Sequence, residues 1–169
     1  RRMREIVTRI NPGLKGDIAE IKIIETGHGA IMISLPESIL FQSGEARVRS
    51  EALPLLKALA DVLIEMGRHI RILGHTDNVP IRTAQFPSNW ELSAVRAVMV
   101  VRIFSELYEV PITHLSATGF ADSKPVATND TPEGRTKNRR VEIIVLENHA
   151  SEETLDALLP KEGASAPLP

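Results

Sequence analysis

The sequence predicts an α+β two-layer sandwich, an α/β domain whose helices pack on one face of a mixed sheet. Three observations carry that expectation. Short β-branched runs alternate along the chain with two amphipathic stretches of helical period, and the helices separate strands instead of following them. At 169 residues, with 43% hydrophobic and 25% charged content, the chain has the size and composition of one soluble globular domain with short appendages. Its apolar stretches are broken by charge within a few residues, far short of the ~20 apolar residues that a membrane-spanning helix needs.

Residues 1–9 hold four arginines and lead into Asn11-Pro12-Gly13, a turn signal, so residues 1–17 read as a linker or lead-in helix. Residues 18–25 and 30–35 are β-branched runs joined by Thr26-Gly27-His28-Gly29, which predicts two hairpin-connected strands. Ser50 reads as the N-cap of a helix to Met66, with Leu53, Leu56, Leu59 or Ala60, and Leu63 at three- and four-residue steps. Pro54 falls in the first turn, where a missing N–H costs least, and Gly67 marks the stop. Residues 69–73 predict a third strand, which ends in Gly74-His75-Thr76-Asp77-Asn78.

After a loop containing Pro80 and Pro87, Ser88 and Glu91 form an S-x-x-E capping box. The helix it opens runs through Leu92, Val95, Met99 and Ile103 to about Tyr108, and Pro111 ends it. Residues 115–120 predict a fourth strand, 121–137 an excursion containing Gly and Pro, and 141–146 a fifth strand. The working domain is thus expected over residues 18–147. Residues 148–169 are acidic and finish in Ala, Ser and Pro, a composition that buries little apolar surface and predicts disorder after at most a short helix.

Charge separates these parts. From Glu147 onward the chain carries net −4, which leaves the rest at +2 although the whole chain is −2. That balance argues against a whole-surface attraction to nucleic acid or anionic membrane. The absence of cysteine excludes disulfides, thiolate zinc sites and cysteine nucleophiles without fixing a compartment. The chain begins Arg-Arg-Met and shows no apolar signal-peptide region, so an anchoring or targeting segment is expected upstream.

Three stretches are richer in polar chemistry than core building requires. In the first, Gly74-His75-Thr76-Asp77-Asn78, polar groups sit at the end of a buried strand, although Gly, Asp and Asn also make ordinary turns. In the second, Asn89 and Arg96 are seven residues apart, 20° short of two helical turns, and so share a face with Ser93 nearby. Arg96 leans back toward the helix N-terminus, where Asp77 could meet it; a plain Asp–Arg salt bridge is the competing reading. The third, residues 135–140, has four basic side chains in six, enough for a positive patch or simply a solvated loop. Base-stacking aromatics are missing from the strands apart from Phe120 at an edge, so no nucleic-acid partner is expected.

Enzymatic arrangements are absent. There is no H-E-x-x-H, Walker A, G-x-G-x-x-G or G-x-S-x-G motif, and His75-x-Asp77 alone is a weak metal signal. No catalytic residue, cofactor or metal is assigned.

Taken together, five ordered blocks resemble the OmpA C-terminal-like family of peptidoglycan-binding domains. They are Phe41-Gln-Ser-Gly44-Glu-Ala46, Gly74-His75-Thr76-Asp77, Asn89-Trp-Glu-Leu92-Ser93-Ala-Val-Arg96-Ala97, Gly119-Phe120 with Pro125 and Asn129, and Gly134-Arg135-Thr-Lys-Asn138-Arg139-Arg140-Val141-Glu142. The run Thr76-Asp77-Asn78-Val79-Pro80-Ile81 and the extended loop to Phe86-Pro87-Ser88 look most like the periplasmic domain of flagellar stator proteins of the MotB type. The fourth block departs from the family pattern by lacking the second glycine of G-x-G.

The resemblance implies a β-α-β-α-β core with an extra N-terminal strand, and noncovalent, non-enzymatic binding of the peptidoglycan stem peptide, commonly through diaminopimelate. Carried over, Asp77 takes the ligand ammonium and Arg96 grips a carboxylate with two parallel charge-assisted bonds. Thr76, Asn78, Asn89, Leu92, Asn138 and Arg139 complete the pocket, while His75 supports the loop. The implied partners are peptidoglycan, a second copy in a homodimer, and an ion-channel stator subunit; the implied setting is the periplasm, below a membrane helix outside this chain. The alternatives are an OmpA-like envelope tether or secretion-system wall anchor and, more remotely, a metal-dependent peptidoglycan hydrolase using His75 and Asp77.

Overall fold

The computed structural model describes residues 21–25 and 29–146. The expected lead-in at 1–17, the start of the first strand, the Thr26-Gly27-His28 connection and the acidic tail at 148–169 lie outside the described residues. Five strands form one mixed sheet: β1 (Lys22–Glu25), β2 (Ile31–Pro36), β3 (Ile70–His75), β4 (Leu115–Gly119) and β5 (Arg140–Val145), in the order β1-β2-β5-β3-β4. β5 runs antiparallel to both β2 and β3, and only β3 and β4 are parallel. That parallel pair is joined through a helix, as such a crossover requires.

Alternation along the strands sorts the two faces. Ile33 and Leu35, Ile70 and Ile72, and Val141, Ile143 and Val145 point into the main core. Leu55, Leu56, Leu59, Ala60 and Leu63 of α2 (Leu53–Met66) and Ala97 and Val100 of α3 (Asn89–Arg102) pack against them. Both long helices therefore cover one face, as the sequence predicts. A short α1 (Glu37–Leu40) turns the chain after β2, and α4 (Pro132–Asn138) borders the opposite face beside Met32, Ser34 and Glu142.

Helix boundaries test the local chemistry. Ser88 accepts a bond from the Trp90 N–H and its hydroxyl meets the Glu91 carboxylate, so α3 starts where the capping signal places it. The helix continues as a π-helical turn over Ile103–Leu107. Ser50 does not cap. It begins a 3-10 turn (Ser50–Ala52) and no side chain caps α2, whose early Pro54 tolerates the missing donor. The helix α4 was not expected within the 121–137 excursion; Thr131 caps it by accepting from the Gly134 N–H, and Pro132 fits its first turn.

Gly74 and Gly119 face each other across β3 and β4 beneath α3. A Cβ on Gly74 would lie 2.1 Å from the Ser93 carbonyl oxygen, and one on Gly119 2.5 Å from the Ala94 nitrogen. These paired glycines let the helix lie directly on the strands at the end where β3 delivers Asp77. The missing second glycine of the G-x-G pattern falls at Ala121, which is buried and adopts φ 50°. Its carbonyl receives the Thr76 N–H at 2.9 Å, and its own N–H donates to Ser93 Oγ at 3.0 Å.

This left-handed backbone costs an alanine about 1–2 kcal/mol. Ala121→Gly returns roughly 0.4–1 kcal/mol of that to the freedom of the unfolded chain. A net gain of up to ~1.5 kcal/mol in unfolding free energy is expected from denaturant titration; a loss would mean that the Ala121 methyl packs more favourably than its backbone strains.

Candidate functional site

The loop after β3 carries Thr76 and Asp77, both buried, and Asn78, which is exposed. Asp77 Oδ1 accepts the Val79 N–H at 3.0 Å, forming an Asx-type turn that aims Oδ2 at Arg139 Nη1, 2.7 Å away. Thr76 Oγ1 donates to the Asp77 carbonyl, and the Asn89 amide donates to the carbonyls of Asp77 and Val79. The first turn of α3 therefore clamps the loop that presents the carboxylate.

Arg96 shares the Asn89 face, as the spacing predicts, but its guanidinium makes no bond to Asp77. It lies 3% exposed over the Phe41 ring, donates to the carbonyls of Glu45 and Gln42, and pairs with Glu37 Oε1 at 2.8 Å. Glu37 Oε2 takes Arg139 Nε at 2.6 Å. The result is an alternating chain, Arg96–Glu37–Arg139–Asp77. The side chain of Arg139 is one-third exposed, and that of Arg96 almost wholly enclosed, so Arg139 presents the more accessible guanidinium. Burial opposes the charge of Arg139, but Asp77 and Glu37 outweigh it and hold the guanidinium protonated.

Other expected site residues sit deeper. Asn138 is fully buried: its oxygen accepts the Val126 and Ala127 N–H groups, and its amide donates to Ala127 and Asn129. Leu92 packs with Ala46 and Phe86 in a small second core beneath the extended loop. Both brace the site from within. Three of the four basic side chains at 135–140 are engaged within the fold: Arg135 bonds the Asn129 carbonyl, Arg139 is paired, and Arg140 bonds carbonyls of Asn138 and Lys124, while Lys137 is exposed.

His75 turns away from Asp77. Its ring stacks on Phe120 at 5.3 Å, and Nε2 lies 2.5 Å from Glu142 Oε1, while Arg140 flanks the other Glu142 oxygen. A joint His75–Asp77 metal site is therefore not assembled, and among the described residues no group of three His, Cys, Asp or Glu side chains could hold a metal ion. No described helix is long and apolar enough to cross a membrane.

Burial disfavours the Glu142 charge, yet His75 and Arg140 overcome that effect and hold its carboxyl below the ordinary range. A depressed folded value contributes stability above the unfolded value, near 4.3, and loses it as the pH falls through the folded one. The thermal midpoint is accordingly expected to fall more steeply with acidification below about pH 4.3 in the wild type than in Glu142→Gln. Parallel melting curves across that window would remove Glu142 from the acid response.

Sequence reasoning overlooked Glu37, the acid that joins the two arginines, and Trp90, which is 56% exposed beside Asn89. Glu37 left a faint signal, an acidic residue directly after the Leu35-Pro36 strand end and just before the first family block. Trp90 lies inside the Asn89–Ala97 block, at a position that the family pattern leaves variable.

Known proteins are similar to this chain in sequence and fold. Motility protein B of Bacillus subtilis is 45% identical over 123 residues, covering 72% of this chain and 47% of that protein. The cell wall anchor of the T6SS from Pseudomonas aeruginosa superposes with a TM-score of 0.75 at 34% identity, covering 86% of this chain and 96% of that one. The periplasmic domain of Helicobacter pylori MotB gives 0.67 at 26% identity, covering 80% and 88%. The chain spans about half the length of the curated relatives it matches. Residues 40–139 match the OmpA family, and that stretch contains Asp77, Arg96 and Arg139; the chain belongs to the OmpA family.

Proposed function

We propose that this domain binds peptidoglycan noncovalently from the periplasm, reading a diaminopimelate-type stem peptide, and so anchors a flagellar stator to the cell wall. The observation that carries the reading is the Asp77–Arg139–Glu37–Arg96 chain, which sets the Asp77 carboxylate beside the Arg139 guanidinium at one loop mouth, with Arg96 enclosed behind Glu37. A side chain bearing both an ammonium and a carboxylate fits that pairing. Asp77 takes the ammonium, while Arg139 at the surface and Arg96 behind it face the carboxylate. The work is binding, with no bond made or broken.

The likeness to motility protein B supports the stator setting, which also calls for a second copy of the domain and an ion-channel partner subunit in the whole protein. The likeness to the T6SS wall anchor favours a second reading, the same wall-binding chemistry serving a secretion system. The residues upstream of Arg1 discriminate: one membrane helix with an acidic residue supports the stator.

Retention on purified sacculi tests the binding itself. Wild-type protein is expected to sediment with sacculi and to be released by excess soluble diaminopimelate tripeptide. Failure to sediment, or release by the tripeptide no better than by trialanine, would overturn the stem-peptide reading.

A further inference from the structure

A second feature adjoins the Asp77 loop. The extended segment from Asn78 to Trp90, with Ala121 and Asp122, lines an open cleft of about 510 Å³. Pro80, Ile81 and Pro87 give it apolar walls, and Trp90 stands exposed on its border. Arg82 and Asp122, both exposed, supply opposite charges, and Asn78, the residue after Asp77, joins the cleft to the Asp77 loop.

The cleft is held in shape before any ligand arrives. Asn89 ties the Asp77 and Val79 carbonyls, the Phe86 N–H donates to Thr83 Oγ1, and the Thr83 N–H donates to the Phe86 carbonyl. The Phe86 ring, 2% exposed, anchors the loop between Ala46 and Leu92. A walled, pre-ordered loop avoids part of the ordering cost of binding. A large aromatic left in water beside such a cleft, when Phe86 four residues away is buried, is a surface without a partner in the fold.

Resting on the peptidoglycan reading above, we propose that this cleft is a sugar subsite in which the Trp90 indole stacks on an N-acetylhexosamine ring of the glycan strand. A pyranose has a face of C–H groups and a rim of hydroxyl and acetamido groups. The C–H face suits the electron-rich indole face, and the rim suits a border of Asn78, Arg82 and Asp122. Covalent connection supplies the proximity. The diaminopimelate is the third residue of a peptide attached to the glycan, so at ~3.5 Å per residue a sugar lies within roughly 10 Å of it.

The test compares two soluble probes on the full chain by calorimetry: the diaminopimelate tripeptide alone, and the same tripeptide carrying its N-acetylglucosamine–N-acetylmuramic acid disaccharide. Wild-type protein is expected to bind the disaccharide form about 2- to 10-fold more tightly, the range of one aromatic stack. Trp90→Ala should abolish that difference without changing tripeptide affinity, and Trp90→Phe should keep most of it. Trp90 is the single tryptophan in the chain, so its fluorescence reports the same contact, and the disaccharide alone should shift it.

Equal affinity for the two probes, or an equal loss for both in Trp90→Ala, would overturn the subsite. A shift of the Trp90 signal by a proline-rich or other protein segment, with none from the disaccharide, would assign the cleft to a protein partner instead. These failures are distinct from failure of the stem-peptide reading, in which wild-type protein would not bind the tripeptide at all.

Discussion

Replacing Glu37 with Gln is expected to cost about 3–5 kcal/mol of stability, although the substitution preserves shape and leaves no cavity. Glu37 is 9% exposed and is the shared counterion of Arg96 and Arg139. Arg139 is partly solvated and keeps Asp77, so losing Glu37 is tolerable for it. Arg96 has no such alternative: at 3% exposure it would keep only carbonyl partners and the Phe41 ring. A buried cation without a counterion is the expensive case, since the pair itself earns little over a hydrophobic replacement while the orphan retains the whole desolvation penalty.

Urea unfolding measures the loss, with an unchanged slope as evidence that the end states are unaltered. The double variant Glu37→Leu with Arg96→Met separates orphaned charge from lost packing, and should recover much of the stability that Glu37→Gln forfeits. A cost below about 1 kcal/mol for Glu37→Gln would show that water reaches Arg96 and that the chain of ion pairs is an exposed one.

The distribution of what was legible follows from how each feature is encoded. Strand alternation and three- and four-residue steps are local, so five strands and two long helices could be placed from Ile33, Leu35, Leu56, Leu63 and their neighbours. Most strand ends shifted by a residue or two because sheet pairing extends or trims them: β3 runs on to His75 because that residue pairs with Arg140. The helix α4 escaped because seven residues give too little periodicity to see, although Thr131-Pro132 carries a start signal.

At the site, the spacing of Asn89 and Arg96 could assign both to one helical face but could not say which acid Arg96 would meet. Glu37 is 59 residues earlier, and the arginine that does meet Asp77 is 62 residues later. Such partners are selected by sheet order, in which β5 lies between β2 and β3, and no local pattern records that order. The same holds for Asn138, which the family resemblance places at the pocket: it is fully buried and accepts the Val126 and Ala127 N–H groups, partners that no local pattern records.

Asp77→Asn is expected to lower affinity for the diaminopimelate tripeptide by about 30-fold or more, corresponding to the 2–5 kcal/mol lost when one member of an enclosed charge pair is removed. The amide can still accept the Val79 N–H, and Arg139 keeps Glu37, so the loop and the fold should survive. What disappears is the negative charge proposed to meet the ligand ammonium. A tripeptide with lysine in place of diaminopimelate retains that ammonium but has no side-chain carboxylate, so Asp77→Asn should weaken both ligands. Arg96→Lys and Arg139→Lys should weaken chiefly the diaminopimelate form, because a point charge replaces a planar two-bond fork. Measured on both ligands, these variants form double-mutant cycles that assign each end of the ligand to its protein group. Coupling of the ligand carboxylate to Arg139 alone would make Arg96 a buttress held by Glu37; coupling to Arg96 would require the ligand to compete with Glu37 for a buried guanidinium. Equal affinity of Asp77→Asn and wild type for the diaminopimelate peptide would remove the carboxylate from recognition altogether.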